Sequence, residues 1–290
     1  MMSSKRSNGD DLVKTVEAKA DLMRYRIVEM VGRAGSGHPG GSLSCSDILA
    51  VLYFGGVLRV DPADPLCPDR DRFVLSKGHA APALYAALAE RGFFPVENLL
   101  TLRQMGSILQ GHPDARKTPG VEASTGSLGQ GLSVAVGMAL AGKLDKKDYR
   151  VWVLLGDGEC DEGQVWEAAM AAAHYRLDNL TAIVDHNRLQ IDGPIEKVMS
   201  PEPIGEKFRA FGWDARSVDG HNVAEMMRLF KEPPGGEGKP RVIVAETTKG
   251  KGVSFMEGTA AWHGKAPKGE ELQRALAELR SRLEGWEAVR

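Results

Sequence analysis

Two stretches of this 290-residue sequence end in oxygen donors at matching places: Asp157 in Gly156-Asp157-Gly158, and Asn187 in Asp185-His186-Asn187. Each closes an apolar run, Tyr149 to Leu155 and Leu180 to Asp185, that reads as a buried strand. The two donors stand about 30 residues apart, the length of one βαβ unit, so both are expected at one edge of a parallel sheet. A carboxylate and an amide carbonyl suit Mg2+ or Ca2+, hard ions that take oxygen ligands and often bridge a phosphorylated group. Gly156 and Gly158 let the backbone approach closely, and the amides entering a helix at Asp161 could help to hold an anion. Asp-Gly is also a common turn dipeptide, and Asn187 could cap a turn. The placement of both donors at strand ends therefore carries the metal reading.

The histidines add to it. Four of the seven follow a glycine: His38, His79, His112 and His221. A Gly-flanked loop presents an imidazole rather than packing it, and neutral imidazole exchanges protons near pH 7. Singly, each reads as well as a satisfied loop residue. No second His or Cys at zinc-ligand spacing supports a zinc site, and His174 and His186 receive no role. Gly35, Gly37 and Gly40 fit the Gly-x-Gly-x-x-Gly spacing of dinucleotide sites. They follow a helical pattern instead of a strand and enclose Pro39, so a nicotinamide dehydrogenase is a weak alternative.

The elements that must position these residues alternate as in an α/β protein. The expected fold is a doubly wound, mostly parallel sheet with helices on both faces, one domain over residues 12–290 behind a flexible leader at 1–11. A helix is expected over Val13–Arg33, with Val16, Ala20, Met23, Ile27, Met30 and Val31 on one stripe, closed by a Gly-rich turn at 35–41. Further helices are expected over Asp47–Leu58, Ala80–Arg91, Asp161–Tyr175, Val223–Lys231 and Glu270–Leu283. Phe211–Val218 and Arg241–Glu246 read as strands, and the Pro-Pro-Gly-Gly stretch at 233–236 as a loop within the domain.

Composition bounds the partners. With 37 basic and 39 acidic side chains the formal net charge is −2, which excludes a polybasic nucleic-acid or membrane-surface protein. Hydrophobic content of 42% and charged content of 26% suit a soluble globular chain. The longest nearly unbroken apolar run, Ile48–Leu58, is about a dozen residues, short of the roughly 18 that suggest a membrane span. The charged start (Lys5, Arg6, Asp10, Asp11, Lys14) shows no secretory signal. Cys45, Cys67 and Cys160 are odd in number and form no Cys-x-x-Cys pair, so a reducing cytoplasm is the expected compartment.

Six motifs in this order resemble one family: Gly-Ser-Gly-His-Pro-Gly-Gly (35–41), Leu-Ser-Lys-Gly-His-Ala (75–80), Gly-His-Pro (111–113), Thr-Gly-Ser-Leu-Gly-Gln-Gly (125–131), Gly-Asp-Gly-x-x-x-Glu-Gly (156–163) and Asp-His-Asn-x-x-x-Ile-Asp-Gly (185–193). Together they strongly resemble the thiamin-diphosphate-binding N-terminal domain of transketolases, from about residue 12 to about residue 270. The metal motif alone is shared with other thiamin enzymes; the His-Pro-Gly-Gly, Ser-Lys-Gly-His-Ala and Gly-Ser-Leu-Gly-Gln-Gly segments point to transketolase.

The resemblance implies thiamin diphosphate as cofactor, with Mg2+ held by Asp157, Asn187 and the backbone carbonyl of Leu189, and Ca2+ or Mn2+ able to substitute. It implies that Gly158 contacts the diphosphate, and that Gly126, Ser127 and Leu128 lie against the aminopyrimidine ring. Ser127 stands where many family members carry proline, a change a backbone contact tolerates. It implies that His38, His79, His112 and His263 (in Trp262-His263-Gly264) surround the thiazolium and the donor sugar for proton transfer, hydroxyl binding and some diphosphate contacts. Glu162 resembles an acidic residue that reaches the partner half across a subunit interface.

Full-length transketolases continue through a pyrimidine-binding and a C-terminal domain, with the activating glutamate and most sugar-phosphate arginines. The expectation is therefore a split transketolase of pentose phosphate metabolism: a ketol transferase moving a two-carbon unit from a ketose or ketose phosphate to an aldose. This chain would be the N-terminal subunit of an α2β2 heterotetramer with a C-terminal partner, with no nucleic acid or membrane involved. The α subunit of a 2-oxo-acid dehydrogenase, a deoxyxylulose-phosphate-synthase-like enzyme and an orphan cofactor-binding fragment stay open as alternatives. The intact His-Pro-Gly-Gly segment argues against the second.

Overall fold

The computed structural model describes residues 3–233, 236 and 238–287. Met1 and Met2 of the expected leader, and Pro234 and Gly235 of the expected loop, lie outside the described residues. Four helices come first: α1 (Ser3–Ala34), α2 (Pro39–Ser44), α3 (Ser46–Phe54) and, after strand β1 (Arg72–Leu75), α4 (Ala81–Arg91). Helix α1 begins ahead of Val13, where the apolar periodicity starts. The Gly-rich segment after α1 is a turn only as far as His38. Pro39 begins α2, since proline at a first helical position gives up an amide that would have had no intrahelical acceptor. Gly55 and Gly56 stop α3 at Phe54, short of the expected Leu58; Gly56 turns the chain at φ 71°, a conformation glycine takes without strain.

The rest alternates: α5 (Gln130–Leu144), β2 (Val151–Gly156), α6 (Gly163–His174), β3 (Leu180–His186), α7 (Ile195–Val198), α8 (Ile204–Ala210), β4 (Asp214–Asp219), α9 (Val223–Lys231), β5 (Arg241–Glu246) and α10 (Gly269–Glu287). A 3-10 turn at Gly158–Asp161 runs ahead of α6, which starts at Gly163, two residues later than expected. Strand β4 starts at Asp214, not Phe211. Phe211 caps α8, Gly212 turns the chain at φ 94°, and the Trp213 indole donates to the Ala169 carbonyl at 2.8 Å.

The five strands among the described residues are all parallel, in the order β1-β2-β3-β5-β4. Their alternation divides the apolar side chains between two cores, as a sheet covered on both faces requires. Trp152, Leu154, Ile183, Ile243 and Ala245 face the core that buries the α1 stripe together with α3, α4, α9 and α10. Val151, Val153, Leu155, Ala182, Val184, Val242 and Val244 face the core under α5, α6 and α8. For the site, the register of β2 on β3 matters most: Gly156 pairs with Asp185, and the Asp157 amide donates to the Asp185 carbonyl at 3.3 Å. Asp157 and Asn187 thus leave the sheet side by side. Among the described residues no helix is long and apolar enough to cross a membrane.

Candidate active site

Beyond the carboxyl ends of β2 and β3 lies a cavity of about 250 Å3. Of the residues singled out from the sequence, His38, His79, Gly126, Leu128, Asp157, Gly158, Asn187, Leu189 and His263 line it. His112 stands outside the lining, exposed, with its ring 6.4 Å from that of His38. Ser127 is exposed between Gly126 and Leu128. Glu162 is exposed at the start of α6, where a β-carbon on Gly129 would come within 2.7 Å of its own.

The oxygen donors are ordered by the chain itself. Asp157, 2% exposed, accepts the Gly158 amide at 2.7 Å on one carboxylate oxygen and the Arg188 amide on the other. The Asn187 carbonyl oxygen accepts the Leu189 amide at 3.2 Å, and its amide nitrogen donates to Asp185 at 3.3 Å. Burial and the neighbouring Asp185 push the Asp157 carboxyl up to about 6, a cost that a cation on its remaining lone pairs would relieve. Among the described residues no group of three His, Cys, Asp or Glu side chains gathers as a metal site. The available set is carboxylate, amide and backbone carbonyl, which suits Mg2+ or Ca2+ better than zinc. Gly158 donates its own amide to Asp157; what it adds is room, because a β-carbon there would stand 2.7 Å from Gln190 Cγ.

Two buried lysines face this donor set, and sequence reasoning passed over both. Lys77 is 1% exposed and donates to the Gly41 carbonyl at 2.8 Å and to Asp185. Burial works against its charge, but Asp185 outweighs it and holds Lys77 protonated; Asp185, also bonded by Ser44 and Thr247, stays ionised. Lys249 donates to the Leu189 carbonyl at 2.7 Å. Burial and Lys77 hold its pKa down at about 8, and no carboxylate pairs with it among the described residues. A buried ammonium without a counter-ion, beside a cavity, is a place for an anion.

Three imidazoles line the same cavity. The His38 ring lies 5.4 Å from His79 and 5.5 Å from His263, edge-on to both, and His79 and His263 stack at 5.0 Å. Nδ1 of His38 and Nδ1 of His263 are buried with no hydrogen-bond partner. Burial, with Arg103 and His112 nearby, takes His38 down to about 4; burial and Lys249 take His263 to about 3; burial and Lys77 put His79 well below the usual value. All three are neutral at pH 7 and able to accept or pass a proton.

The cavity also holds Gly41, Gly156 and Ile191, which belong to the quoted motifs, and Glu159 and Gln190, which fall on their unspecified positions. Glu159 is committed: it accepts the Ser76 hydroxyl at 2.5 Å, the Gly129 amide at 2.9 Å and the Gly156 amide at 3.0 Å. His186 is buried between Glu246, at 2.9 Å, and Glu202, and His174 ends α6, both away from the lining.

Residues 15–288 match the transketolase, thiamine diphosphate binding domain. One of the subunits of the apulose-4-phosphate transketolase of Phocaeicola vulgatus is 48% identical over 275 residues, which are 95% of this chain and 97% of that protein. The 6-deoxy-6-sulfo-D-fructose transketolase subunit SqwG of Clostridium sp. is also 48% identical, over 91% of this chain and 96% of that protein. The solved transketolase of Campylobacter jejuni superposes with a TM-score of 0.83 at 31% identity, covering 94% of this chain and 48% of that one. The chain therefore spans about half the length of that solved enzyme.

Proposed function

The chain belongs to the transketolase thiamin-diphosphate-binding family, and we propose that it is the N-terminal subunit of a split transketolase, acting with a C-terminal partner. The reading rests above all on one juxtaposition: the Asp157–Asn187–Leu189 oxygen set, the unpaired Lys249 ammonium and a wall of neutral imidazoles share one cavity. Those groups fit the cofactor. Asp157, Asn187 and the Leu189 carbonyl would hold Mg2+, with Ca2+ or Mn2+ as substitutes, and Lys249 and the open cradle at Gly158 would take the diphosphate. When bound, thiamin diphosphate supplies the carbon nucleophile that carries the two-carbon unit. His38, His79 and His263 would bind the donor's hydroxyls and move protons at its carbonyl and hydroxyl oxygens, with His112 at the mouth. Gly126, Ser127 and Leu128 would lie against the aminopyrimidine, and Glu162 would reach the partner subunit.

The partner would bring the pyrimidine-binding domain in an α2β2 heterotetramer. Both carboxylates in the lining support this: Asp157 would be taken by the metal and Glu159 is bonded to this chain's own donors, which leaves neither for a ring nitrogen. The two relatives at 48% identity are named for different sugars, one a phosphate and one a sulfonate. We infer a ketose donor with an anionic far end for this chain as well. Ketol transfer from such a donor to an aldose, without release of CO2, is the assay. Decarboxylation of a 2-oxo acid as the main activity would contradict it.

A further inference from the structure

His221 is the Gly-flanked histidine that stands away from the cavity and its mouth, in the turn between β4 and α9. It is fully bonded. Its Nε2 accepts the Thr248 amide at 2.9 Å, so the ring proton sits on Nδ1. Nδ1 donates to Asp47 at 2.6 Å. Asp47, 6% exposed on α3, is anchored in turn by Arg24 of α1, which also donates to Asp21 at 3.0 Å.

The acceptor end of this relay falls one residue before Lys249. The same stretch is tied at Thr247, whose amide donates to the His186 carbonyl at 3.1 Å and whose hydroxyl donates to Asp185, and at Gly250, whose amide donates to the Gly40 carbonyl at 3.0 Å. From the other side, the Gly220 amide donates to the Glu246 carbonyl at 2.8 Å. A β-carbon on Gly220 would stand 2.5 Å from Thr247 Cγ2 and 2.9 Å from the Glu246 oxygen. The His221 turn is thus seated directly on the segment that leaves β5 and carries Lys249 into the cavity.

We propose that His221 is a positioning residue for Lys249: clamped by Asp47, it holds the Thr248 amide and so fixes where the Lys249 ammonium meets the diphosphate end of the cavity. This rests on the cofactor reading above. An Asp–His pair elsewhere serves as an acid–base dyad; here Nε2 is capped by a backbone amide, so what the pair supplies is geometry.

Two substitutions separate the halves of the relay. His221→Asn keeps a donor toward Asp47 but leaves the Thr248 amide without its acceptor; His221→Gln restores an acceptor near the Nε2 position. The measurement is calorimetric titration of Mg2+ with inorganic diphosphate into the full chain, for H221N, H221Q, K249A and the H221N/K249A double variant. H221N should bind about tenfold more weakly, because the Lys249 ammonium is no longer held at the diphosphate end, and H221Q should recover most of it. In the K249A background H221N should add less than about twofold, because the histidine acts through the lysine. Equal losses in both backgrounds, or no recovery in H221Q, would overturn the proposal. A crystal structure of H221N reads the same point without ligand: Lys249 Nζ should leave the Leu189 carbonyl, and an unmoved 247–250 segment would overturn it too. Wild-type protein that takes up no diphosphate would remove the cofactor reading alone, and the H221N structure would still decide the positioning.

Discussion

The imidazoles of His79 and His263 stack with centroids 5.0 Å apart and planes at 27°, and His38 meets both rings edge-on. Rings this close cannot share positive charge cheaply, and the nearby Lys77 and Lys249 make protonation costlier still.

The first prediction is that these histidines stay neutral through the physiological range. His38, at about 4, and His263, at about 3, lie below the value of about 6.5 that they regain in the unfolded chain. The unfolded chain therefore takes up protons first on acidification. The stability that depends on neutral rings is complete above about pH 6.5 and declines as the pH falls toward 4. Two-dimensional NMR should show no inflection for the His38 and His263 ring protons between pH 5.5 and 8, and urea midpoints should fall on acidification through pH 6. An inflection near 6.5 for either ring would show it to be solvated rather than part of the wall.

The second concerns Asp157. Its carboxylate is buried beside Asp185, so it costs folding energy for the sake of the site. Asp157→Asn should leave the melting temperature equal or higher while Mg2+-dependent cofactor affinity drops by roughly 2–5 kcal/mol, the loss seen when a buried charged contact is removed. Unchanged affinity by calorimetry would return Gly156-Asp157-Gly158 to an ordinary turn.

The Lys77–Asp185 pair makes the third. With both side chains essentially out of water, Lys77→Met alone should destabilise the fold by about 3–5 kcal/mol, since it strands a buried carboxylate. The double change Lys77→Met with Asp185→Asn should cost clearly less than the two singles together. Additive losses in urea unfolding would mean the two charges are stabilised independently.

Much of this was legible in the sequence, because strand-ending donors and Gly-flanked histidines need only local pattern and sheet topology to be placed. Asp157 and Asn187 emerge side by side as the β2–β3 register requires, and three of the four Gly-His histidines gather around one cavity or its mouth. The lysines were not legible. Lys249 sits in Thr-Thr-Lys-Gly-Lys, a polar stretch that reads as a surface loop, and only the tertiary ties of Thr247, Thr248 and Gly250 bury it. Helix α5 escaped for a related reason. Three glycines, Gly131, Gly137 and Gly142, weaken any helical signal there, yet a β-carbon on Gly131 would meet the Ser76 hydroxyl at 2.4 Å and one on Gly142 the Tyr149 ring at 2.8 Å. Gly131 and Gly142 are contact points for side chains outside the helix. Strand β1 is four residues long, too short for a periodicity to register.

If this chain carries half of a ketol-transfer site, transfer must depend on the other half. The purified chain, with thiamin diphosphate and Mg2+, is assayed for transfer from a ketose phosphate to an aldose, first alone and then with a pyrimidine-domain partner titrated in while light scattering follows the assembly. Background activity is expected from the chain alone, and a rise to a plateau at equimolar partner as two copies of each chain assemble. Full transfer by the isolated chain would contradict it.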